Sequence, residues 1–261
     1  MEIPVHNGNL CARCGDSLNE PGDDSTSNVC RTCRLATPPF VRAVSYGPYS
    51  GRMREIIHAL KYDRLRPAAR RLGRMLAQAF AQVANEAPAE MLVVPVPLHK
   101  SKHFERGFNQ AWLLASEAIV ILRKTHPEWR LSLAPRTLIR LRATNSQAGL
   151  TSRQRRLNVR GAFRVPDPSA VSGKHVLIVD DILTTGATAR AAARALITAG
   201  AETVWVATLA RARRITPIRL GSVESTSASF EVADDSHNPP GGTPGFNLQP
   251  ASMYSEDQRS F

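Results

Sequence analysis

The sequence predicts an α/β protein with a parallel sheet flanked by helices, preceded by a small cysteine-rich module and followed by an irregular tail. Apolar strand-like runs alternate with helix-like stretches between residues 91 and 213, which is the pattern of a parallel sheet. All four cysteines lie within the first 33 residues. From residue 216 onward, Ser, Pro and Gly largely replace apolar residues, and such a segment cannot bury enough surface to fold.

The four cysteines form two C-x2-C pairs separated by fifteen residues, which is a spacing typical of structural zinc sites. Four thiolates complete a tetrahedron around one Zn²⁺ and leave no open position for a substrate. Two disulfides or a redox-active dithiol are the alternatives, but a reducing cytosol disfavours disulfides and a dithiol needs only one pair. We therefore predict a structural zinc module over residues 1–36, held by Cys11, Cys14, Cys30 and Cys33.

Residues 40–90 are predicted to form a hairpin followed by helices. Two short strand-like runs flank Gly47 and Pro48, a pair that is typical of a turn. Apolar residues then recur at helical spacing in RMREIIHALKY and again in PAARRLGRMLAQAFAQVANE.

Residues 91–213 are predicted to form the α/β core. MLVVPVP, HVLIVDD and TVWVATLA are short apolar runs with the character of buried parallel strands. FNQAWLLASEAIVILRK and the alanine-rich ATARAAARALITAG have helical periodicity and alternate with these strands. Residues 216–261 are predicted to be a disordered tail.

The chain carries a net charge of +12, and the excess lies ahead of the tail. Two arginines and six acidic residues follow residue 215, so the first 215 residues carry +16. Such an excess favours an anionic partner such as a phosphate, a nucleotide or a nucleic acid, although a basic proteome is the alternative. No apolar run approaches the roughly 18 residues that span a bilayer. The N-terminus also lacks the plan of a signal peptide, so we expect a soluble cytoplasmic protein without membrane insertion.

Paired acids and a Thr- and Gly-rich loop follow the predicted strand that begins at residue 175. Asp180 and Asp181 end that strand, at the edge where open parallel sheets bind ligands. The loop leads into a helix start, whose unpaired N–H groups and positive dipole end favour a phosphate. Capping a helix would need one polar residue and not this whole series. We therefore predict a sugar-phosphate site formed by Asp180, Asp181, Thr184, Thr185, Gly186, Ala187 and Thr188.

The stretch VLIVDDILTTGAT resembles the motif by which type I phosphoribosyltransferases bind phosphoribosyl pyrophosphate (PRPP). The resemblance implies that Asp180 and Asp181 contact the ribose hydroxyls and that residues 184–188 bind the 5′-phosphate. It also implies a hood region over residues 40–90 and, with Mg²⁺, a displacement at ribose C1 in which pyrophosphate leaves. The transition state of that reaction is cationic, and the two aspartates would act as catalytic groups by favouring its charge.

Three further features resemble the ComF family, bacterial proteins linked to competence for DNA uptake. They are the four-cysteine N-terminus, VPVPLHKSKHFERGFNQAWLLA at 94–115 and RATNSQAGLTSRQRRLNVRGAF at 142–163. Together with the PRPP motif they occur in family order over residues 11–213. We therefore expect a PRPP-binding, phosphoribosyltransferase-like protein of this family.

The resemblance assigns a pyrophosphate loop to PVPLHKSK. Relatives that use ammonia have an acidic, glycine-containing loop there, whereas this chain has Lys100 and Lys102, which would bind pyrophosphate as point charges. Arg106 begins the next motif and is assigned to pyrophosphate or to a nucleic-acid phosphate. A solvated basic turn is the alternative for this segment.

An arginine-rich stretch occupies the place of the flexible loop that closes over PRPP in type I enzymes. Eight arginines and no acid occur from Arg136 to Arg164, and Arg142 and Arg155 match the ComF pattern. Like charges at this density repel unless an anion lies among them. The stretch is therefore suited to the leaving pyrophosphate and equally to several DNA phosphates.

Two functions from different classes follow from these features, and the sequence does not identify the acceptor that the first of them would use. The first is a phosphoribosyltransferase. The second is an inactive competence factor that handles single-stranded DNA with a helicase-like ATPase, although aromatic residues for base stacking are few among the arginines. A PRPP-sensing regulator is a third class.

Overall fold

The computed structural model describes residues 8–18, 28–62, 68–142, 154 and 159–212 of the chain. The tail predicted over residues 216–261 lies outside these residues. The described strands are β1 (Ala43–Pro48), β2 (Glu90–Pro95), β3 (Arg130–Leu133), β4 (Ile139–Arg140), β5 (Phe163–Arg164), β6 (His175–Leu183) and β7 (Thr203–Arg211). The described α-helices are α1 (Arg31–Leu35), α2 (Gly51–Tyr62), α3 (Ala69–Ala81), α4 (Lys100–Arg106), α5 (Gln110–Thr125) and α6 (Ala187–Thr198).

The centre of the fold is a five-stranded sheet with strand order β1-β7-β6-β2-β3, and every pair in it is parallel. The predicted strand–helix alternation is confirmed in β2, α5, β6, α6 and β7. Parallel strands buried on both faces are nearly continuous apolar runs. β6 and β7 fit this rule, because most of their residues are buried.

Helices cover both faces of the sheet, and the alternation of strand side chains decides which residues meet them. On one face, Leu177 and Val179 of β6 belong to a core cluster with residues of α2, α3 and α5. On the other, Val176 and Ile178 belong to a cluster with the alanine-rich side of α6. Continued by one step, the same alternation sends Asp180 and Asp181 to opposite faces.

The hairpin predicted around Gly47 and Pro48 is wrong. Both residues lie within β1, which pairs in parallel with β7 in a register that sets Gly47 opposite Ala210 and Pro48 opposite Arg211. β1 is an edge strand, and an edge tolerates a proline that cannot donate to the ladder. A strand from the predicted hood region therefore completes the sheet of the predicted core.

A short antiparallel pair, β4 with β5, brackets the arginine-rich stretch. Residues 143–153 and 155–158 within that stretch lie outside the described residues, and Arg155 is among them. No helix in the described part of the chain has the length and apolar character needed to cross a bilayer.

Candidate functional site

Asp181 lies at the carboxyl end of β6 and is only 4% exposed. Its Oδ2 accepts a hydrogen bond of 3.1 Å from Gln110 Nε2, at the start of α5, and lies 3.0 Å from Lys61 Nζ in α2. A buried carboxylate requires such partners, because an unpaired charge is costly away from water. Asp181 thus joins α2, α5 and β6 at one point.

Asp180 is half-buried and points to the other face of the strand. Burial and the neighbouring charge of Asp181 raise its pKa above the ordinary aspartate value. The Asp181 N–H, which donates to Asp180 Oδ1 at 2.9 Å, and the positive charges of Lys61 and Arg140 oppose that rise. Asp180 is therefore the more accessible of the two predicted ribose-binding acids.

The predicted phosphate-binding loop leads directly into α6. Gly186 is the N-cap residue, with a left-handed backbone (φ 74°) that favours glycine. Thr185 Oγ1 accepts a hydrogen bond of 3.4 Å from the Ala187 N–H, while Thr184, Thr185 and Thr188 are half-buried. The N-terminus of this twelve-residue helix, with its amides and the positive end of its dipole, suits an anion.

Four basic side chains from three elements form a group beside the acid pair. They are Lys61 in α2, Lys102 and Arg106 in α4, and Arg140 in β4. Burial lowers the pKa of Lys102, and the positive charges of Arg106 and Arg140 lower it further. Burial also lowers the pKa of Arg140, against the attraction of Asp180.

Lys61 differs from the other cations of this group. Burial opposes its charge, but the attraction of Asp181 and Asp180 outweighs burial, so its pKa is raised. The four cations face two aspartates and the exposed Glu105, which leaves a positive excess. An anion relieves the repulsion within such a group.

The structure gathers only some of the predicted pyrophosphate-loop residues. Lys102 and Arg106 lie within electrostatic reach of each other and of Lys61, which pairs with Asp181, whereas Lys100 is exposed at the start of α4. Arg142 is exposed, and its Nη2 donates to the backbone carbonyl of Arg160 within the β4–β5 hairpin. Arg155 lies outside the described residues.

Lys61 and Gln110 had no role predicted from the sequence, and Arg140 was predicted only as one of the arginines of the arginine-rich stretch. Lys61 and Arg140 come from segments far from β6, and no spacing rule connects them to it. A sequence signal did mark the position of Gln110 at a helix start, because asparagine is a preferred N-cap residue and Asn109 caps α5 through bonds from the Ala111 and Trp112 amides. The Asn109 Nδ2 also donates to the Val96 carbonyl at 3.0 Å, which fixes the start of α5 beside the end of β2.

A cavity of about 890 Å³ lies between the segment that follows β2 and the segment that follows β3. Trp112, which is 42% exposed, lines it together with Phe108. Arg136, Arg140 and Lys100 also contribute to the lining. The cavity thus combines an accessible indole ring with positive charge.

The four cysteines form one buried cluster, as the spacing predicted. Their sulfur atoms lie within 4.8 Å of one another, and Cys14 Sγ and Cys30 Sγ are 3.7 Å apart. Sulfurs that bind one Zn²⁺ at about 2.3 Å are about 3.8 Å from each other, so the cluster is compatible with a structural zinc ion. The Cys30 N–H donates to Cys11 Sγ at 3.3 Å, a contact that favours a thiolate.

The comparisons with known proteins agree with this architecture. The phosphoribosyl transferase domain family matches residues 115–223. DNA utilization protein YhgH of Salmonella typhi is 36% identical over 206 residues, which are 77% of this chain and 84% of that protein. Competence protein F of Haemophilus influenzae is 27% identical over the same shares. Competence protein ComFC of Bacillus subtilis is 30% identical over 74% of this chain and 73% of that protein.

We predict that Lys61→Met lowers the free energy of unfolding by about 3 kcal/mol, because the buried carboxylate of Asp181 loses its counter-ion. Adding Asp181→Asn should recover most of that loss, because the buried group is then neutral and Gln110 can still donate to its amide oxygen. Urea unfolding measures both variants, with the exposed Lys124→Met as the matched control. A loss for Lys61→Met no larger than that of the control would contradict the structural role of this ion pair.

Proposed function

Because the chain belongs to the ComF family and contains a phosphoribosyl transferase domain, we propose that the carboxyl edge of its sheet binds PRPP or another phosphorylated ribose. The observation that carries the proposal is the position of the α6 N-terminus directly after an acid pair that lies within an excess of positive charge. A phosphorylated ribose that carries a pyrophosphate matches all three features: its phosphate fits the helix N-terminus, its vicinal hydroxyls fit the acid pair, and its pyrophosphate fits the excess of positive charge.

In this proposal the loop and the acids bind different parts of the ligand. The loop over residues 184–188 holds the 5′-phosphate through amides and hydroxyls. Asp180 accepts a hydrogen bond from a ribose hydroxyl. Asp181 orients Lys61, so that its ammonium group remains at the edge of the site.

The basic group receives the pyrophosphate. Lys61, Lys102 and Arg106 neutralise it. Burial and the neighbouring positive charges lower the pKa of Lys102, and a bound anion would favour its charged form. Mg²⁺, which binds through one or two carboxylates and the phosphates of a substrate, would take Asp180 as its protein ligand and supply further charge neutralisation.

The reaction that this arrangement supports is a displacement at ribose C1. A lone pair of the acceptor forms the new bond to C1 while the C1–O bond breaks, and the bonding electrons leave with pyrophosphate. Positive charge develops on the ribose, and the Asp180 carboxylate favours it electrostatically. The competence and DNA utilization names of the relatives support a role of this chain in DNA uptake.

We predict that PRPP with Mg²⁺ gives a saturable calorimetric signal and that Asp180→Asn lowers the affinity at least about tenfold, since a hydrogen bond to a charged group is lost. Asp167→Asn, the same change at an exposed acid outside the site, should bind like the wild type. The absence of heat at millimolar PRPP would contradict the proposal. Pyrophosphate release, screened across nucleobases and ammonia, then identifies the acceptor.

Handling of single-stranded DNA is a second candidate function, and the cavity beside Trp112 favours it. Phe163, the aromatic residue nearest the arginines in sequence, is buried beneath the Arg140 guanidinium at 5.4 Å from its ring centroid. Trp112 supplies the accessible ring instead, and Arg136 and Lys100 supply charge for phosphates. Bases stack on such a ring with little dependence on sequence.

We predict for this second candidate that Trp112→Ala weakens binding of an oligothymidylate about tenfold, because stacking on one aromatic ring contributes about 1–3 kcal/mol. Fluorescence anisotropy of the labelled oligonucleotide measures it, with Val120→Ala on the exposed part of the same helix as the control. Equal affinity in the two variants would exclude the cavity as the DNA contact. PRPP binding should be unchanged in Trp112→Ala, which separates the two functions.

A further inference from the structure

Arg211 connects the phosphate-binding loop to the cysteine module. Its side chain is 1% exposed, and its Nη1 donates to the carbonyls of Leu183, at 2.8 Å, and Thr184, which begin the loop. Its Nη2 donates to Asp16 Oδ2 at 2.7 Å, two residues after Cys14. One guanidinium group therefore contacts both structures at once.

Arg190 makes a second connection from the same region. It lies in the first turns of α6, where its N–H donates to the Gly186 carbonyl at 2.8 Å. Its Nη2 donates to Cys33 Sγ at 3.8 Å, and its Nη1 donates to the Ala36 carbonyl at 2.9 Å. The helix that begins at the phosphate-binding loop is thus anchored directly to a candidate metal ligand.

The charges of these contacts are complementary. Four thiolates around Zn²⁺ carry a net charge of −2, and the Asp16 carboxylate adds a further negative charge. Arg190 and Arg211 supply two positive charges. The positive charges of both arginines therefore complement the negative charge of the metal-loaded module.

We propose that Arg190 and Arg211 are positioning residues that make the metal-loaded cysteine module a support for the phosphate-binding loop. The ligand in this inference rests on the proposed function, whereas the mechanical connection does not. Without the metal, the four sulfur atoms are no longer held together, so Arg190 loses its contact with Cys33 and Asp16 is released from its position. Arg211 then remains buried without its carboxylate, which is costly, so the carbonyls of Leu183 and Thr184 move with it.

The first experiment needs no ligand. Hydrogen exchange is followed over residues 184–190 in the full chain before and after zinc is removed with a zinc-selective chelator. We expect exchange in this segment to become about tenfold faster, the scale on which outer contacts of a metal site act. Amides of residues 110–114, on the other face of the sheet, should be unchanged. Equal protection of residues 184–190 with and without zinc would overturn the proposal.

Variants separate positioning from general stability. Arg190→Met should accelerate exchange over residues 184–190 with zinc still bound, and Arg194→Met, one turn later on α6 and exposed, should not. Asp16→Asn tests the Arg211 connection with a smaller change than replacing the buried arginine itself. If neither Arg190→Met nor Asp16→Asn differs from Arg194→Met, the two arginines do not position the loop.

Coupling between the zinc site and the ligand site is reciprocal, so the affinity for zinc is a second measurement of it. A merely structural role of the arginines would not change that affinity when PRPP is added. If zinc raises the affinity for PRPP with Mg²⁺ by some factor, PRPP raises the affinity for zinc by the same factor. Zinc transfer to a chromogenic chelator should therefore need about tenfold more chelator at saturating PRPP, and Arg190→Met should abolish that difference. Wild-type protein that binds PRPP without this difference would overturn the coupling and leave the proposed function intact. Protein that binds no PRPP would retire the function, and the exchange result alone would then decide the coupling.

Discussion

The ion pair between Lys61 and Asp181 is the contact on which the arrangement of the site depends. It joins α2 to the end of β6, and Gln110 adds α5 to the same carboxylate. Because Asp181 is paired within the protein, Asp180 is the acid that the proposed function assigns to contact with the ligand. The cations that gather around the pair exceed its negative charge, so the carboxyl edge of the sheet favours an anion before any ligand arrives.

The local features of the site could be predicted from the sequence, because they are carried by consecutive residues. The apolar run of β6, the acids and the Thr/Gly loop stand in one stretch, and the cysteine pairs have the spacing of a metal site. The opposite orientation of Asp180 and Asp181 could also be predicted from the sequence, because strand side chains alternate. The contribution of Lys61 could not be predicted, because it depends on how a remote helix packs on the sheet. The hairpin error has the same origin: Gly47 and Pro48 have turn-like character locally, but pairing with β7 decides their conformation.

Arg140 connects the two candidate ligands. It lines the cavity beside Trp112, and its charge also acts on Asp180. A phosphorylated ribose at the end of β6 and a nucleic-acid base in the cavity would therefore share one cation. The loop that follows the acid pair begins at carbonyls that accept hydrogen bonds from Arg211, which also contacts Asp16 of the cysteine module.

We propose that Asp180 lies in an environment that disfavours its charged form because it contacts a ligand, and its ionisation is the most direct test of this role. The raised pKa means that the folded chain retains a proton that the unfolded chain has released, so this stability is present below the ordinary aspartate value of 3.8 and is lost as the pH rises through the raised value. Urea unfolding of wild type and Asp180→Asn should therefore give equal stabilities at low pH and a more stable variant at pH 8. PRPP with Mg²⁺ should then stabilise the wild type more than the variant, because the variant binds it more weakly. A variant less stable than the wild type at every pH, or equal stabilisation of both proteins by PRPP, would contradict the account.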